Sequence, residues 1–490
     1  MVEIMRGDMS NDVSQSLPLA IDLDGTFLRT DTLYESIAYH LFRRPFKTVM
    51  ALTAVSKGRA ALKHAVLSLG RIDVSSLPRN NDFVDYLNAQ SETGRTLHLA
   101  TAASNEIAQD VLRDSGLFST AEGSDQHLNL KSEQKLMALK NRFPEGFVYA
   151  GDSPADLAVW KGATAGVLVS TNSAVKTEFT KLGTPLEAEF PEARYDTFKL
   201  WRKALRLHQW SKNILMFVPL VLAHMYGEFS VVAITVAAFI LMGTIASGTY
   251  VLNDLSDLAA DRVHRTKKTR PFAAGDLPVR DGLVGAPLLI AFGLAGAFLL
   301  NVQFGLVALI YLALTLSYSF GLKRLPMVDV FILGVLYTLR ILMGIVVLGV
   351  AVSPWIIAFS FFFFYSMSLA KRHVEIIGAQ DLPKKKAIPG RGYRPEDAGL
   401  TLSIGAATAA ASILVIVLYL TQEAFPSGVY GAPDYLWAAP ALVTVWTQRI
   451  WLLANRGELD DDPVAFAIKD RFSLVLGGLL GLAFIIAVVL

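Results

Sequence analysis

From Lys212 onward the chain is dominated by long apolar runs separated by short polar ones. A segment surrounded by lipid has no water to bond its backbone, so it must satisfy its N–H and C=O groups internally, and runs of this kind fold as packed helices. The candidate spans are 212–226, 231–253, 284–300, 304–320, 328–350, 354–370, 399–420, 434–453 and 473–490, nine in all. A helix needs about 20 residues to cross a bilayer. Several runs approach that length, and the first is short enough to be partly interfacial.

The polar connections alternate in charge. Those after the second, fourth, sixth and eighth spans carry "DRVHRTKKTRP", "GLKRLP", "KRHVEIIGAQDLPKKKAIPGRGYR" and "NRGELDDDPVAFAIKDR". Those after the first, third, fifth and seventh contain no Lys or Arg. The positive-inside rule then places the basic loops and everything before the first span in the cytoplasm, and the C-terminus on the opposite side of a cell (inner) membrane. A hydrophobic fraction of 53% and a mean hydropathy of +0.42 fit that reading and not a soluble protein of this length. The net charge of +2 gives no general case for nucleic-acid binding. With no cysteine, disulfides and thiolate metal sites are excluded. The N-terminal "MVEIMRGDMSNDVSQSLPLA" lacks the long apolar core of a cleavable signal peptide.

Residues 1–190 have a different texture. Short apolar runs ("LPLAIDLDGT", "TLHLATAAS", "GFVYAGDS") alternate with amphipathic stretches such as "SEQKLMALKNRF". Strands alternating with helices predict an α/β domain on a parallel sheet. A polar segment, 191–211, links it to the membrane domain of 212–490, with the boundary near Pro191.

Two acidic patterns carry the chemistry. In "AIDLDGTFL", Asp22 and Asp24 follow an apolar strand, and strand alternation sends residues two apart to the same side. "LHLATAAS" is a second strand, ending in Thr101, and "VYAGDSPADL" a third, ending in Asp152 with Asp156 four residues on. Between them lies Lys135, or alternatively Lys131. The order of these four motifs resembles the haloacid dehalogenase superfamily over roughly residues 17–190. The resemblance implies a Rossmann-like sheet with a small helical cap at about residues 30–90. It implies Asp22 as a nucleophile that becomes an aspartyl phosphate, Asp24 as general acid/base, and Thr101 and the lysine on the phosphoryl oxygens. Mg²⁺ would be held by Asp22, Asp24, Asp152 and Asp156. The plainer alternative is a degenerate domain retained as a scaffold.

The second pattern, "NDLSDLAADR", follows the second span. Asn253, Asp257 and Asp261 recur every four residues, with Asp254 beside the first, so a helix would stack them on one face. Stacked like charges need a cation, and carboxylates at a membrane mouth suit Mg²⁺ bridging to a substrate diphosphate. Arg262, His264, Arg265, Lys267, Lys268 and Arg270 follow, and Arg and Lys bind phosphate oxygens. A solvated loop obeying the positive-inside rule would explain the bases but not the spacing of the acids.

Nine spans with this motif after the second resemble the UbiA family of intramembrane prenyltransferases over roughly residues 200–490. Family members clamp a prenyl diphosphate through Mg²⁺ with this motif and a second, DxxxD-like one. Here "YSFGLKRLPMVDVFILGVLYTLRILMG" offers Asp329, but the position four on is Leu333. "RLHQWSKN", "LRILMG" and "SLAKRHVEI" resemble the decaprenyl-phosphate phosphoribosyltransferase branch. In that branch phosphoribosyl pyrophosphate is the donor and a polyprenyl phosphate the acceptor. The resemblance implies Mg²⁺ on Asn253, Asp254, Asp257 and Asp261, with Arg262, Lys267 and Arg270 on the leaving diphosphate. Lys212, Lys323, Arg324, Arg340, Lys371 and Arg372 are candidate anchors for the donor 5-phosphate or the lipid phosphate, Asn213 and Asp329 are further substrate-binding candidates, and Tyr250 would either touch the ribose or serve as an aromatic packing residue. Lys384–Lys386 reads better as a lipid-headgroup patch, and "LGGLLG" as close helix packing.

The leading expectation is a bifunctional enzyme, a homo-oligomer being compatible with it. Its membrane domain would make polyprenyl-phosphate phosphoribose. Its soluble domain would remove the 5-phosphate for cell-envelope sugar synthesis, as of an arabinogalactan precursor. The alternatives are an aromatic prenyltransferase of quinone or pigment synthesis and a lipid carrier with an inactive soluble domain.

Overall fold

The computed structural model describes residues 16–125, 129–191, 196–379, 387–388, 391–459 and 463–490. The expected headgroup patch Lys384–Lys386 and the first 15 residues lie outside them. The chain divides into two compact units that interrupt each other in sequence: residues 1–205 with 250–287, and residues 206–249 with 288–490. The Asp-rich motif and its basic tail therefore belong to the same unit as the N-terminal domain.

The first unit is built on a six-stranded parallel sheet. Its strands are β1 (Leu19–Ile21), β2 (Leu97–Ser104), β3 (Thr120–Ser124), β4 (Val148–Gly151), β5 (Ala165–Val169) and β6 (Leu186–Phe190). The central ones are continuous apolar runs because both faces are covered. One face packs Ile21, Leu99, Val148 and Val167 against Phe27 and Phe83, the other Ala20, Tyr149 and Leu168 against Trp160 and Phe179. The order is β3-β2-β1-β4-β5-β6, so the direction of winding reverses between β1 and β4. A crevice outside the strands' C-terminal ends opens at such a reversal, and that is where Asp22 and Asp152 follow their strands. β2 runs three residues past the expected end at Thr101.

Helices Thr32–Leu41, Pro45–Leu52 and Arg59–Leu67 follow β1. Asp31 starts the first by accepting from Leu33 N. The expected linker contains a helix, Thr197–Ala204, capped by Asp196. Its apolar side joins Ala38, Val251, Leu255, Phe272 and Leu277 in one cluster, so this segment is part of the unit's core.

Among the described residues, seven helices are long and apolar enough to cross a membrane. They are Phe229–Ser256, Val279–Leu300, Val302–Phe320, Val328–Leu348, Pro354–Ile377, Pro395–Ala424 and Arg471–Val489. The other two expected spans differ. Residues 212–226 fall on a 3₁₀ helix, Leu207–Phe217, and a five-residue α-helix, Val218–Leu222, with Pro219 in it. The eighth is the helix Ala438–Asn455, where Arg449 pairs with Asp470 at 2.6 Å. In the second unit glycine permits close approach: a Cβ on Gly344 would lie 2.2 Å from Met216 O, and one on Gly405 would enter the Trp451 ring.

His98 on β2 is fully buried, with Nδ1 2.7 Å from Thr120 Oγ1. Burial, and then the Arg142 charge, push its imidazole down to about 4. Between that value and the unfolded value of about 6.5 the unfolded chain binds more protons than the folded one. The stability is therefore whole above pH 6.5 and drains as pH falls towards 4, by up to about 3 kcal/mol. Calorimetry on the full chain from pH 7 to 4.5 should show this decline for the first unit, and His98→Gln should flatten it.

Candidate functional site

At the β1/β4 reversal three carboxylates meet. Oxygens of Asp22, Asp152 and Asp156 all lie within 4.8 Å of one another. Asp22 is placed by its backbone N donating to Ala150 O on β4 and by Leu23 N donating to its own Oδ1 at 2.8 Å. Gly25, at φ +85°, turns the chain beneath Asp152, and a Cβ there would sit 2.3 Å from Asp152 Oδ2. Glycine is thus required twice over, for the backbone region and for the space. Thr26 Oγ1 donates to Asp152 Oδ1 at 3.2 Å. Asp156 accepts from Ser153 N and Oγ and from Tyr149 Oη.

Of the two candidate lysines, Lys135 lies against these carboxylates. It is buried, with Nζ 3.0 Å from Asp22 Oδ1 and 3.9 Å from Asp156 Oδ1, and it donates to Tyr149 Oη at 2.9 Å. Lys131 is exposed. Burial alone would lower the Lys135 pKa, but the Asp22 and Asp156 carboxylates overcome it and raise it. Burial, then the Asp156 and Asp22 charges, hold Asp152 well above the usual carboxylate range. Burial raises Asp22 as well, against the pull of Lys135. Three crowded acids with one lysine are a donor set that suits a hard divalent cation.

Two further predicted members make hydrogen bonds of their own. The Asp24 carboxylate is not in the group of three; it accepts from Thr32 N at 2.9 Å and Thr32 Oγ1 at 3.3 Å. Burial, then the Asp31 charge, push it up to about 7. Thr101 is fully buried, and its Oγ1 accepts from Ala103 N at 2.9 Å.

The Asp-rich motif divides into two pairs. The long helix ends at Ser256, and Asp257 starts a short one, Leu258–Val263. Asn253 Nδ2 donates to Asp257 Oδ2 at 3.3 Å, and Ser256 Oγ to Asp257 Oδ1. Asp254 and Asp261 are buried, and Arg270 Nη1 bridges them at 3.0 and 2.6 Å. The expectation of a single stack therefore needs correction: between Asp254 and Asp261 the cation is the Arg270 guanidinium, because the 3₁₀ turn Lys267–Thr269 brings it back onto the helix. Arg262 also departs from the phosphate role expected for it. It is turned into the unit, where it pairs with Glu35 at 2.5 Å and donates to Ala273 O. Lys267 is exposed and Tyr250 half-buried.

In the second unit Arg340 is buried in its helix, with Nε donating to Asn213 Oδ1 at 2.9 Å, Nη1 to Leu336 O and Nη2 to Tyr311 Oη at 2.9 Å. Lys212 Nζ lies 5.7 Å from the centre of the Tyr337 ring, over which Arg340 also sits at 5.3 Å. Asn213 Nδ2 is buried and has no hydrogen-bond partner among the described residues. Asp329 and Arg372, both expected to bind substrate, pair with each other. Arg372 Nε donates to Asp329 Oδ2 at 2.9 Å, Tyr393 Oη to Asp329 Oδ1 at 2.6 Å, and Arg372 also pairs with Glu375. Lys323 and Lys371 are half-buried and Arg324 is exposed.

Sequence reasoning missed Tyr149, Tyr311, Tyr393 and Glu35. An acid on the apolar side of "TLYESIAYHL" was the available signal for Glu35; the tyrosines gave none.

A family model described as "UbiA prenyltransferase family" matches residues 214–487. The chain is 44% identical over 473 residues to "Uncharacterized protein y4nM" of Sinorhizobium fredii, spanning 96% of this chain and 91% of the relative. It is 33% identical over 296 residues to "Nodulation protein NoeC" of Azorhizobium caulinodans, spanning 59% and 94%. Over 178 residues it is 34% identical to "Decaprenyl-phosphate phosphoribosyltransferase" of Mycobacterium tuberculosis, spanning 36% and 59%.

Asp152→Asn is expected to weaken Mn²⁺ binding at the β1/β4 crevice at least about tenfold, whereas Asp24→Asn, outside the group of three, should leave it within about twofold. An electron paramagnetic resonance titration of the full chain compares the two; equal losses would return Asp24 to the metal site.

Proposed function

The chain belongs to the UbiA prenyltransferase family, and on that premise we propose a Mg²⁺-dependent membrane enzyme that transfers 5-phosphoribose from phosphoribosyl pyrophosphate to a polyprenyl phosphate. Its N-terminal sheet domain is a phosphatase of the haloacid dehalogenase type that removes the 5-phosphate from the lipid-linked product. The basic loops and the N-terminal domain face the cytoplasm of a multi-pass inner-membrane protein.

The observation that carries the donor assignment is Asp329. Its two oxygens are taken by Arg372 and Tyr393, and Leu333 stands one turn further on. A second diphosphate-binding acid pair, which a prenyl diphosphate donor would call for, is therefore not formed there. The similarity to decaprenyl-phosphate phosphoribosyltransferases over 178 residues supports the same choice. Asn253 and Asp257, joined side by side, are the ligands offered to a cation on the leaving pyrophosphate, with Asp261 beside them on Arg270. Arg340, a charge at a depth where it is retained for function, together with Lys212 and the unsatisfied Asn213 amide, supplies the donors for a substrate phosphate. In the transfer, an oxygen of the lipid phosphate forms a bond to the anomeric carbon as the bond from that carbon to pyrophosphate breaks. A cation held there would neutralise the departing charge.

In the soluble domain an Asp22 oxygen forms a bond to phosphorus while the bond to the sugar oxygen breaks, and that oxygen takes a proton from Asp24. Asp24, held above the usual carboxylate range, retains a proton for that step. Water then attacks phosphorus as the bond from phosphorus to the Asp22 oxygen breaks, Asp24 accepts the water's proton, and phosphate leaves with Asp22 restored. Lys135 neutralises the phosphoryl oxygens next to Asp22. Asp152 and Asp156 would hold a divalent cation together with Asp22, and its charge would offset that of the phosphoryl group.

Labelled phosphoribosyl pyrophosphate and decaprenyl phosphate, given to the purified chain in detergent, should yield a labelled lipid. Asp257→Asn should cut this at least about a hundredfold and spare hydrolysis of p-nitrophenyl phosphate. Prenyl transfer to 4-hydroxybenzoate instead would reverse the donor assignment. In a separate comparison, Asp22→Asn should make lipid at the normal rate but leave it 5-phosphorylated. The same phosphorylated product from wild type would assign the soluble domain another substrate.

A further inference from the structure

The first unit contains a contact that neither half-reaction uses. Glu35, on helix Thr32–Leu41, forms a forked pair with Arg262: Nη2 to Oε1 at 2.5 Å and Nη1 to Oε2 at 3.2 Å. Both side chains are nearly sealed from water, at 4% and 7% exposure. Thr30 Oγ1 donates to the same Glu35 oxygen at 2.7 Å, and Arg262 Nε donates to Ala273 O. Nearby, Arg29 Nη2 meets Asp276 Oδ1 at 2.8 Å. Gly275, at φ +75°, lets the chain pass so close that a Cβ there would lie 3.1 Å from Arg29 O and from Pro78 Cγ. Behind these polar ties Tyr34, Ala38 and Phe42 pack in one cluster with Val251, Leu255, Leu258, Phe272 and Leu277.

Each end of the contact adjoins an acid of a proposed site. Arg29, Thr30 and Glu35 flank Thr32, whose N–H and hydroxyl hold Asp24. Arg262 follows Asp261, and Asp276 lies six residues beyond Arg270, which bridges Asp254 and Asp261. A buried ion pair contributes little net stability, because desolvation offsets much of the attraction, but its forked geometry tolerates few alternative positions. What such a pair supplies is registration.

We infer that Glu35, Arg29, Arg262 and Asp276 are positioning residues that hold the phosphatase loop in fixed register with the loop after the Asn253–Asp261 motif, so that the soluble domain works on the lipid-linked product from a docked position. A bare linker would give an effective concentration on the order of millimolar with no preferred orientation. Docking adds the orientation. The inference rests on the bifunctional reading above, and its two tests separate the failure of one from the failure of the other.

The contact itself is tested without activity. The chain has no cysteine, so Arg29→Cys with Asp276→Cys in the full-length protein in nanodiscs gives one defined pair. A short bis-maleimide should cross-link it within the chain in most molecules, and failure to do so overturns the docking whatever the domain's substrate. Function is tested by charge exchange at the less buried pair. Arg29→Asp should leave lipid labelling from phosphoribosyl pyrophosphate, and hydrolysis of p-nitrophenyl phosphate, within about twofold. It should raise the 5-phosphorylated share of the lipid about fivefold, as expected for loss of about 1 kcal/mol. Adding Asp276→Arg should restore the wild-type share. An unchanged share in Arg29→Asp, or a raised share that the exchange leaves uncorrected, overturns the positioning role. Cross-linking together with a wild-type lipid that stays phosphorylated would instead refute the phosphatase reading and leave the docking standing.

Discussion

Carboxylates repel one another most where water is scarce, and this chain buries them repeatedly. At an effective dielectric of about 20, two unit charges 4 Å apart interact by about 4 kcal/mol, so each crowded acid pair needs a cation within reach. Lys135 stands between Asp22 and Asp156, Arg270 between Asp254 and Asp261, and Arg372 between Asp329 and Glu375. The fourth case, Arg262 with Glu35, brings one acid and one base together. Which base takes which acid decides which oxygens remain to meet a substrate or a metal.

The same bookkeeping of charge separates structural bases from functional ones. The basic tail of the Asp-rich motif resembles a uniform phosphate patch in sequence. In the fold it is three kinds of residue: Arg262 turned inward to Glu35, Arg270 bridging two carboxylates, and Lys267 exposed on a 3₁₀ turn. Asp329 undergoes a parallel change of role. Held by Arg372 and Tyr393, it fixes residues 391–394 against its helix, where Tyr393 Oη also accepts from Met327 N.

The interleaving of the units follows from where the apolar surface lies. Residues 250–287 carry Val251, Leu255, Phe272 and Leu277, and these find their partners in Ala38 and in the helix Thr197–Ala204. A reader of the sequence sees a membrane domain beginning near residue 212. The fold assigns the end of the helix Phe229–Ser256 and the loop after it to the N-terminal unit, because burial, not chain order, sets the boundary of a compact unit.

The sequence by itself determined what local patterns can express. Long apolar runs compelled helices, since lipid offers the backbone no partners, and seven of the runs are such helices. Short apolar runs ending in Asp22 and Asp152 compelled parallel strands with acids at their tips, and sheet order placed those tips side by side. The short first run with Pro219 was the weakest local signal, and there the chain forms a 3₁₀ helix instead. Only the tertiary structure decided the partners of the charges. Asn213 and Arg340 are 127 residues apart, Glu35 and Arg262 227, and Arg29 and Asp276 247. A salt bridge leaves no periodic trace in a sequence, because its strength depends on distance and burial in space, and both are set by the packing of elements far apart along the chain.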